Sequence, residues 1–185
     1  MADVLFSVDV ETDGPIPGDF SLLSIGACLV ERTEVSFYVE MQPIFHQFDP
    51  EAMQVNGLDR DRLLREGQPP KVAMESFAEW VKSNCADGNR PVYVALNVSF
   101  DWSFTHWYFQ HYLSFDPFGH SAWDIRAHFA GYLGTHSWSA SSGSVLCEEL
   151  SIERLNTHNA LADAQEQAKI FRLLQQKSEK ARELR

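Results

Sequence analysis

Apolar and β-branched residues dominate Val4 to Thr12, Ser21 to Glu31 and Val35 to Ile44, with Asp13-Gly14-Pro15 and Arg32-Thr33 marking the breaks between these runs. The pattern predicts three strands joined as two hairpins. Beyond them the period lengthens. Pro50 opens a helical turn through Val55 that Gly57 closes, and Val72, Phe77, Trp80 and Val81 give Lys71 to Cys85 one helical face, ended by Asp87-Gly88. Pro91 to Leu96 reads as a short continuous apolar strand and Ser99 to Leu113 as an aromatic-rich helix. Ala122 to Asp124 reads as a last short strand leading into a helix through Leu133. Thr135 to Ser144 is rich in serine and reads as a flexible loop entering another helical stretch. Leu161, Ala164, Ala168 and Phe171 recur at helical intervals and mark the core stripe of a long C-terminal helix. Strands first, then helices alternating with strands, predict an α/β sandwich with a mixed sheet.

With 185 residues and 44% apolar composition, the chain is expected to form a single domain over 1–185, ending in a basic helical tail from about 176. No apolar run approaches the roughly 20 residues needed to span a bilayer, and the first residues lack the basic-then-apolar layout of a secretory signal. A soluble, cytoplasmic protein with no membrane partner is the expectation. Cys28, Cys85 and Cys147 form no CxxC pair and read as reduced structural thiols.

The net charge of −11 opposes a basic nucleic-acid groove. Lys169, Arg172, Lys177, Lys180, Arg182 and Arg185 nevertheless gather near the C-terminus. They read as cations complementing a helix dipole or as a solvated tail, with a strand or partner contact as the alternative.

Four acids and a histidine change the picture. In the apolar strand around Val8, a period of two puts Asp9 and Glu11 on one face, where unpaired carboxylates are costly to bury and where hard divalent cations would find oxygen ligands. Asp101 follows the Pro91 to Leu96 strand at a strand-to-helix junction, where α/β proteins place sites. A carboxylate favoured by the helix dipole is the plainer explanation for it. His158 stands at the mouth of the C-terminal helix, with Asp163 about one turn inside. His46, His106, His111, His120, His128 and His136 show no metal-ligand spacing and read as packing or surface residues.

Asp9-x-Glu11-Thr12, Asn97-x-x-Phe100-Asp101 and His158-x-x-x-x-Asp163, in this order, resemble the three motifs of the DEDDh 3′→5′ exonucleases, the family of ribonuclease T, oligoribonuclease and bacterial polymerase proofreading subunits. Pro50 to Leu58 is similar to that family's segment between its first two motifs, and the likeness runs from about residue 4 to 175. The resemblance implies a ribonuclease H-like fold, a five-stranded mixed sheet with helices on both faces. It also implies two divalent cations, Mg²⁺ or Mn²⁺, on Asp9, Glu11, Asp101 and Asp163. His158, with a reference pKa near 6.5, suits a general base for the attacking water. By the same likeness Thr12, Glu51, Asn97 and Phe100 contact the 3′ end of a single-stranded nucleic acid, RNA or DNA. Leu96, Asp13, Pro15 and Val55 depart from the pattern, the last two replacing aromatics that ribonuclease T stacks on terminal bases. The competing reading is a non-catalytic nucleic-acid or protein-binding module on the same fold, which predicts a lost acid or histidine; none is lost. The aromatic residues of Ser99 to Leu113 surround their helix and predict burial almost all round. The homodimers of ribonuclease T and oligoribonuclease make an intersubunit contact there the alternative to core packing.

Overall fold

In the computed structural model, which describes residues 2–153 and 157–183, five strands form one sheet. They are β1 (Asp3–Thr12), β2 (Leu22–Leu29), β3 (Ser36–Glu40), β4 (Arg90–Ala95) and β5 (Ala122–Asp124), in the order β3-β2-β1-β4-β5. β1 pairs antiparallel with β2, and β2 with β3; β4 runs parallel to β1, and β5 to β4. Both predicted hairpins form. The helices are α1 (Pro50–Asn56), α2 (Arg60–Glu66), α3 (Pro70–Asn84), α4 (Ser99–Leu113), α5 (Ile125–Leu133), α6 (Gly143–Leu150) and α7 (Ala160–Glu183).

Alternation along β1 sends Phe6, Val8 and Val10 into a core shared with Met74 and Phe77 of α3 and Phe104, Tyr108 and Phe109 of α4. The opposite face of the sheet, with Cys28 and Val94, packs against Ile125, Leu146, Ala168, Phe171 and Leu174 of α5 to α7. Helices therefore cover both faces, and Ser7, Asp9 and Glu11 point toward the face that α7 crosses.

Four expectations need correction. Helix α2 was not legible because its residues are mostly charged and only Leu63 is buried; Asp59 caps it by accepting from the Arg62 amide. β3 stops at Glu40, earlier than predicted, because the chain turns to pair with Gln68: the Gln42 amide donates to the Gln68 carbonyl at 2.9 Å. The aromatic helix α4 is not buried all round. Phe104, Thr105, Tyr108 and Phe109 make one buried stripe, whereas Phe100 is exposed and Trp102 and Trp107 are half-buried, stacked on His106 and His111 at 4.3 and 4.5 Å. The serine-rich stretch is held in place, with a 3-10 turn at Ser139–Ser141 and Ser142 capping α6. The basic tail is the continuation of α7 as far as Glu183, and Arg185 lies outside the described residues. No helix among the described residues is long and apolar enough to cross a membrane.

Candidate active site

The site is built on the central strand. In the β1–β2 register Asp9 lies opposite Gly26. A Cβ on Gly26 would come within 2.1 Å of the Ala160 and Leu161 backbone, so the missing side chain is what lets the first turn of α7 rest on the sheet beside Asp9. Ala160, Ala164 and Ala168, all fully buried, extend that close approach along the helix.

Asp101 arrives from the other side. The β1–β4 pairing ends at Ser7 with Val94, so Val10 has no β4 partner, and its amide donates to Asp101 Oδ1 at 3.2 Å. The carboxylate thereby takes over a buried donor of the sheet. The turn into α4 passes through Asn97, which holds a left-handed backbone at φ 61°. It is fixed by Asp124, whose two oxygens accept from the amides of Val98 at 2.8 Å and Ala127 at 2.7 Å.

His158 also has a left-handed backbone, φ 48°, uncommon outside glycine and concentrated at functional sites. Asn159 then caps α7 by accepting from the Ala162 amide at 3.1 Å. One turn in, Asp163 accepts from the Thr157 hydroxyl at 2.9 Å. Gln167 lies one further turn along the same face. Almost wholly buried, it donates to Asp9 Oδ1 at 2.6 Å and accepts from the Leu96 amide at 2.8 Å. Gln167 thus ties β1, β4 and α7 together at the site. Sequence reasoning missed it, although a glutamine on the apolar stripe of a helix, four residues after Asp163, is the kind of buried polar residue that needs a partner.

Asp9, Glu11, Asn97, Phe100, Asp101, His158 and Asp163 line one open cavity of about 270 Å³. Ligand atoms of Glu11, His158 and Asp163 all lie within 4.8 Å of one another, close enough to share an ion. A larger groove of about 760 Å³, at the other end of β4 from Asp101, holds none of these residues. Burial first, then repulsion from Asp101, Glu11 and Asp163, pushes the Asp9 carboxyl well above its usual range, against the Gln167 hydrogen bond that favours its charge. Burial and the nearby Asp163 push Glu11 up to about 7. Burial raises Asp101 to about 7, with the Val10 amide pulling the other way. Such a cluster of oxygen donors is uncomfortable without cations and suited to hard divalent ones.

Phe100 and Asn97 are therefore at the cavity, as expected. Thr12 and Glu51 are not among its lining residues. The Thr12 hydroxyl donates to the Gly14 carbonyl at 2.8 Å, which makes it a turn residue. Glu51 is exposed in the first turn of α1, where its amide is capped by Asp49. Asp13 is structural as well: fully buried, it pairs with Arg60 at 3.1 Å and accepts from the Ser21 amide.

Comparison with known proteins agrees with this geometry. An exonuclease family profile, RNase T, matches residues 6–171. The chain is 42% identical over 178 residues to an Escherichia coli protein named 3′-5′ DNA exonuclease Cap18, covering 96% of this chain and 95% of that protein. To Ribonuclease T of Actinobacillus pleuropneumoniae serotype 5b it is 25% identical over 175 residues, covering 89% of this chain and 79% of that one. Among solved structures, the nuclease domain of 3′hExo, a DEDDh family member bound to rAMP, superposes with a TM-score of 0.75 at 17% identity, over 95% of this chain and 93% of that domain. E. coli exonuclease I in complex with a dT13 oligonucleotide gives 0.74 at 16% identity, over 98% of this chain but 43% of that longer one. These superpositions show the ribonuclease H-like fold of the DEDDh exonucleases, enzymes that need divalent metal ions. By sequence and by fold, the chain belongs to the RNase T family of 3′→5′ exonucleases.

Proposed function

We propose that this chain shortens single-stranded DNA from its 3′ end, with two divalent cations, Mg²⁺ or Mn²⁺, held by Asp9, Glu11, Asp101 and Asp163 and with His158 taking the proton of the attacking water. The observation that carries the reading is the convergence of all four carboxylates and the imidazole on one open cavity. DNA is preferred to RNA because the 42% identical relative is named a DNA exonuclease.

Cations bound there would supply charge stabilisation for a phosphoryl group and a more acidic water. The protein's own contribution is placement. Gln167 fixes one Asp9 oxygen, the Val10 amide fixes one Asp101 oxygen, and Thr157 fixes one Asp163 oxygen, so the remaining oxygens face the cavity with little freedom. His158, on a constrained backbone at the mouth of α7, is free to accept a proton from water. Attack forms a new P–O bond and breaks the bond to the 3′ oxygen of the preceding nucleotide, releasing a nucleoside 5′-monophosphate. Phe100, 40% exposed on the cavity wall, offers an aromatic face to the terminal base. The half-buried aromatic and histidine stacks on the outer side of α4 favour a homodimer through that face, which light scattering of the natural protein and of Trp107→Glu checks.

The test is the product ladder from 5′-labelled DNA and RNA strands of matched sequence in Mg²⁺ or Mn²⁺. Stepwise shortening that EDTA abolishes, faster on DNA, is expected. Shortening that persists in EDTA, or cutting of a circular strand, overturns the reading. His158→Ala separates base from ligand: it should lose turnover yet bind Mn²⁺ as the natural protein does.

A further inference from the structure

Arg126, on the first turn of α5, is spent on an unusual combination of partners. Its Nε donates to the Ser141 carbonyl at 2.9 Å, one terminal nitrogen to the Trp138 carbonyl at 2.6 Å, and the other to Asn97 Oδ1 at 3.0 Å. The guanidinium also lies 3.9 Å from the centre of the Trp138 indole. Trp138 is 58% exposed, the most exposed of the large hydrophobic residues. An indole so open is normally a loose surface group. This one is pinned by its own carbonyl, by the cation against its ring and by the 3-10 turn that follows.

Asn97 lines the cavity of the four carboxylates, so a single guanidinium separates the indole from the rim of the site. We propose that Trp138 is a stacking platform for a nucleobase upstream of the terminal nucleotide, held in position by Arg126, and that it supplies specificity for a single strand over a duplex; this rests on the exonuclease reading above. The chemistry fits the chain's charge. A net charge of −11 opposes holding a strand by a broad basic groove. Base–aromatic stacking needs no such groove and tolerates any sequence, because every base has a π-face. A base already paired and stacked in a duplex cannot lie on the indole. The Arg126 cation at the same spot adds a local attraction for the backbone phosphate of that nucleotide.

The experiment measures KM for 5′-labelled oligothymidylate in Mg²⁺, intact and with a single abasic site moved stepwise from the 3′ end. For the natural protein one abasic position, two to four nucleotides from the end, should raise KM about ten-fold, equivalent to about 1.4 kcal/mol. Trp138→Ala should raise KM on the intact strand by a similar factor and lose the response to that position, while Trp138→Phe should keep part of it. A Trp138→Ala protein that binds the intact strand as the natural one does, or still senses the abasic position in full, overturns the platform and leaves the exonuclease reading standing. If the natural protein shortens no strand at all, the exonuclease reading fails, and the platform fails with it.

Discussion

Replacing Glu11 with glutamine should make the metal-free protein more stable at pH 8 while destroying its activity. Its carboxyl is pushed from 4.5 to about 7 by burial and by Asp163. At about 1.4 kcal/mol per pKa unit, ionising it in the folded state costs about 3 kcal/mol more than ionising it in the unfolded chain. No hydrogen bond to its oxygens is made among the described residues, so the substitution removes mainly the charge. The glutamine amide must itself be desolvated, which leaves a net gain of about 1–2 kcal/mol. The pH dependence follows from proton counting. Between about 4.5 and 7 the folded state binds more protons than the unfolded one, so this group's contribution to stability falls as pH rises through that window and levels off above it. Glu11→Gln should therefore be about 1–2 kcal/mol less stable than the natural protein below about pH 4.5, where only the amide's desolvation counts, and exceed it by several degrees in Tm at pH 8, both in EDTA, given about 2–4 °C per kcal/mol for a chain of this size. Mn²⁺ should reverse the order, since a ligand at about 100 times its Kd adds roughly 2.7 kcal/mol to whichever protein binds it. Thermal unfolding at the two pH values, with EDTA and with Mn²⁺, decides the matter. A Glu11→Gln protein equally destabilised in EDTA at both pH values would make Glu11 a structural residue and refute the strained-cluster argument.

Gln167→Leu should weaken Mn²⁺ binding, because Asp9 loses the donor that favours its charge, and should cost about 1–3 kcal/mol through the unsatisfied Leu96 amide. Calorimetric titration with Mn²⁺ checks the first effect and chemical unfolding the second. Gly26→Ala should cost about 1–3 kcal/mol by overpacking and depress turnover by lifting α7 off the sheet; a normal rate would show that the close approach does not place the site. Asp13→Ala should cost about 3–5 kcal/mol by stranding Arg60 beside a buried void, with the folded fraction still able to shorten DNA. Urea unfolding followed by activity per folded molecule measures both.

The five residues expected to carry the chemistry were each ambiguous alone, and the resemblance of three ordered motifs to an exonuclease family is what joined them. Asp9 and Glu11 share a strand face, Asp101 follows a strand end, and His158 and Asp163 flank a helix start. The strands were legible because β2 and β4 are apolar runs and β1 alternates, whereas their number in one mixed sheet was implied by the family resemblance. What was not legible depends on contacts made far along the chain. Gln167 reads as an ordinary helix residue until Asp9 and Leu96 are brought beside it. Arg126 gains its meaning only when Asn97 and the serine-rich turn meet it. Helix α2 was hidden because charge, not apolar spacing, fills it. Thr12 and Glu51 were placed at the substrate by family likeness alone; they lie in a turn and at a helix start, outside the lining of the cavity.

The geometry also resolves the conflict between an acidic chain and a polyanionic substrate. Among the described residues, the basic residues near the C-terminus do not form an arm folded over the site. They continue α7, whose first turn is at the site, so at 1.5 Å per residue Lys180 and Arg182 lie about 25–30 Å from Asp163. Lys177 is already engaged by Glu149, and Arg172 donates to the Glu31 carbonyl. In the last turn Lys180 and Arg182 complement the helix dipole, which is the plainer of the two readings of that cluster. Attraction for the 3′ end must then arise locally. On the proposed function, the carboxylates that repel a phosphate when the site is empty are the same groups that would gather cations, so affinity for the strand should be conditional on metal. Without cations, burial and mutual repulsion raise the carboxyls of Asp9, Glu11 and Asp101, and the site offers a strand no positive charge. On the proposed function, an acidic surface combined with a metal-dependent centre would confine strong binding to the point of hydrolysis. Stacking on exposed rings such as Trp138 is then the proposed means of holding the rest of the strand.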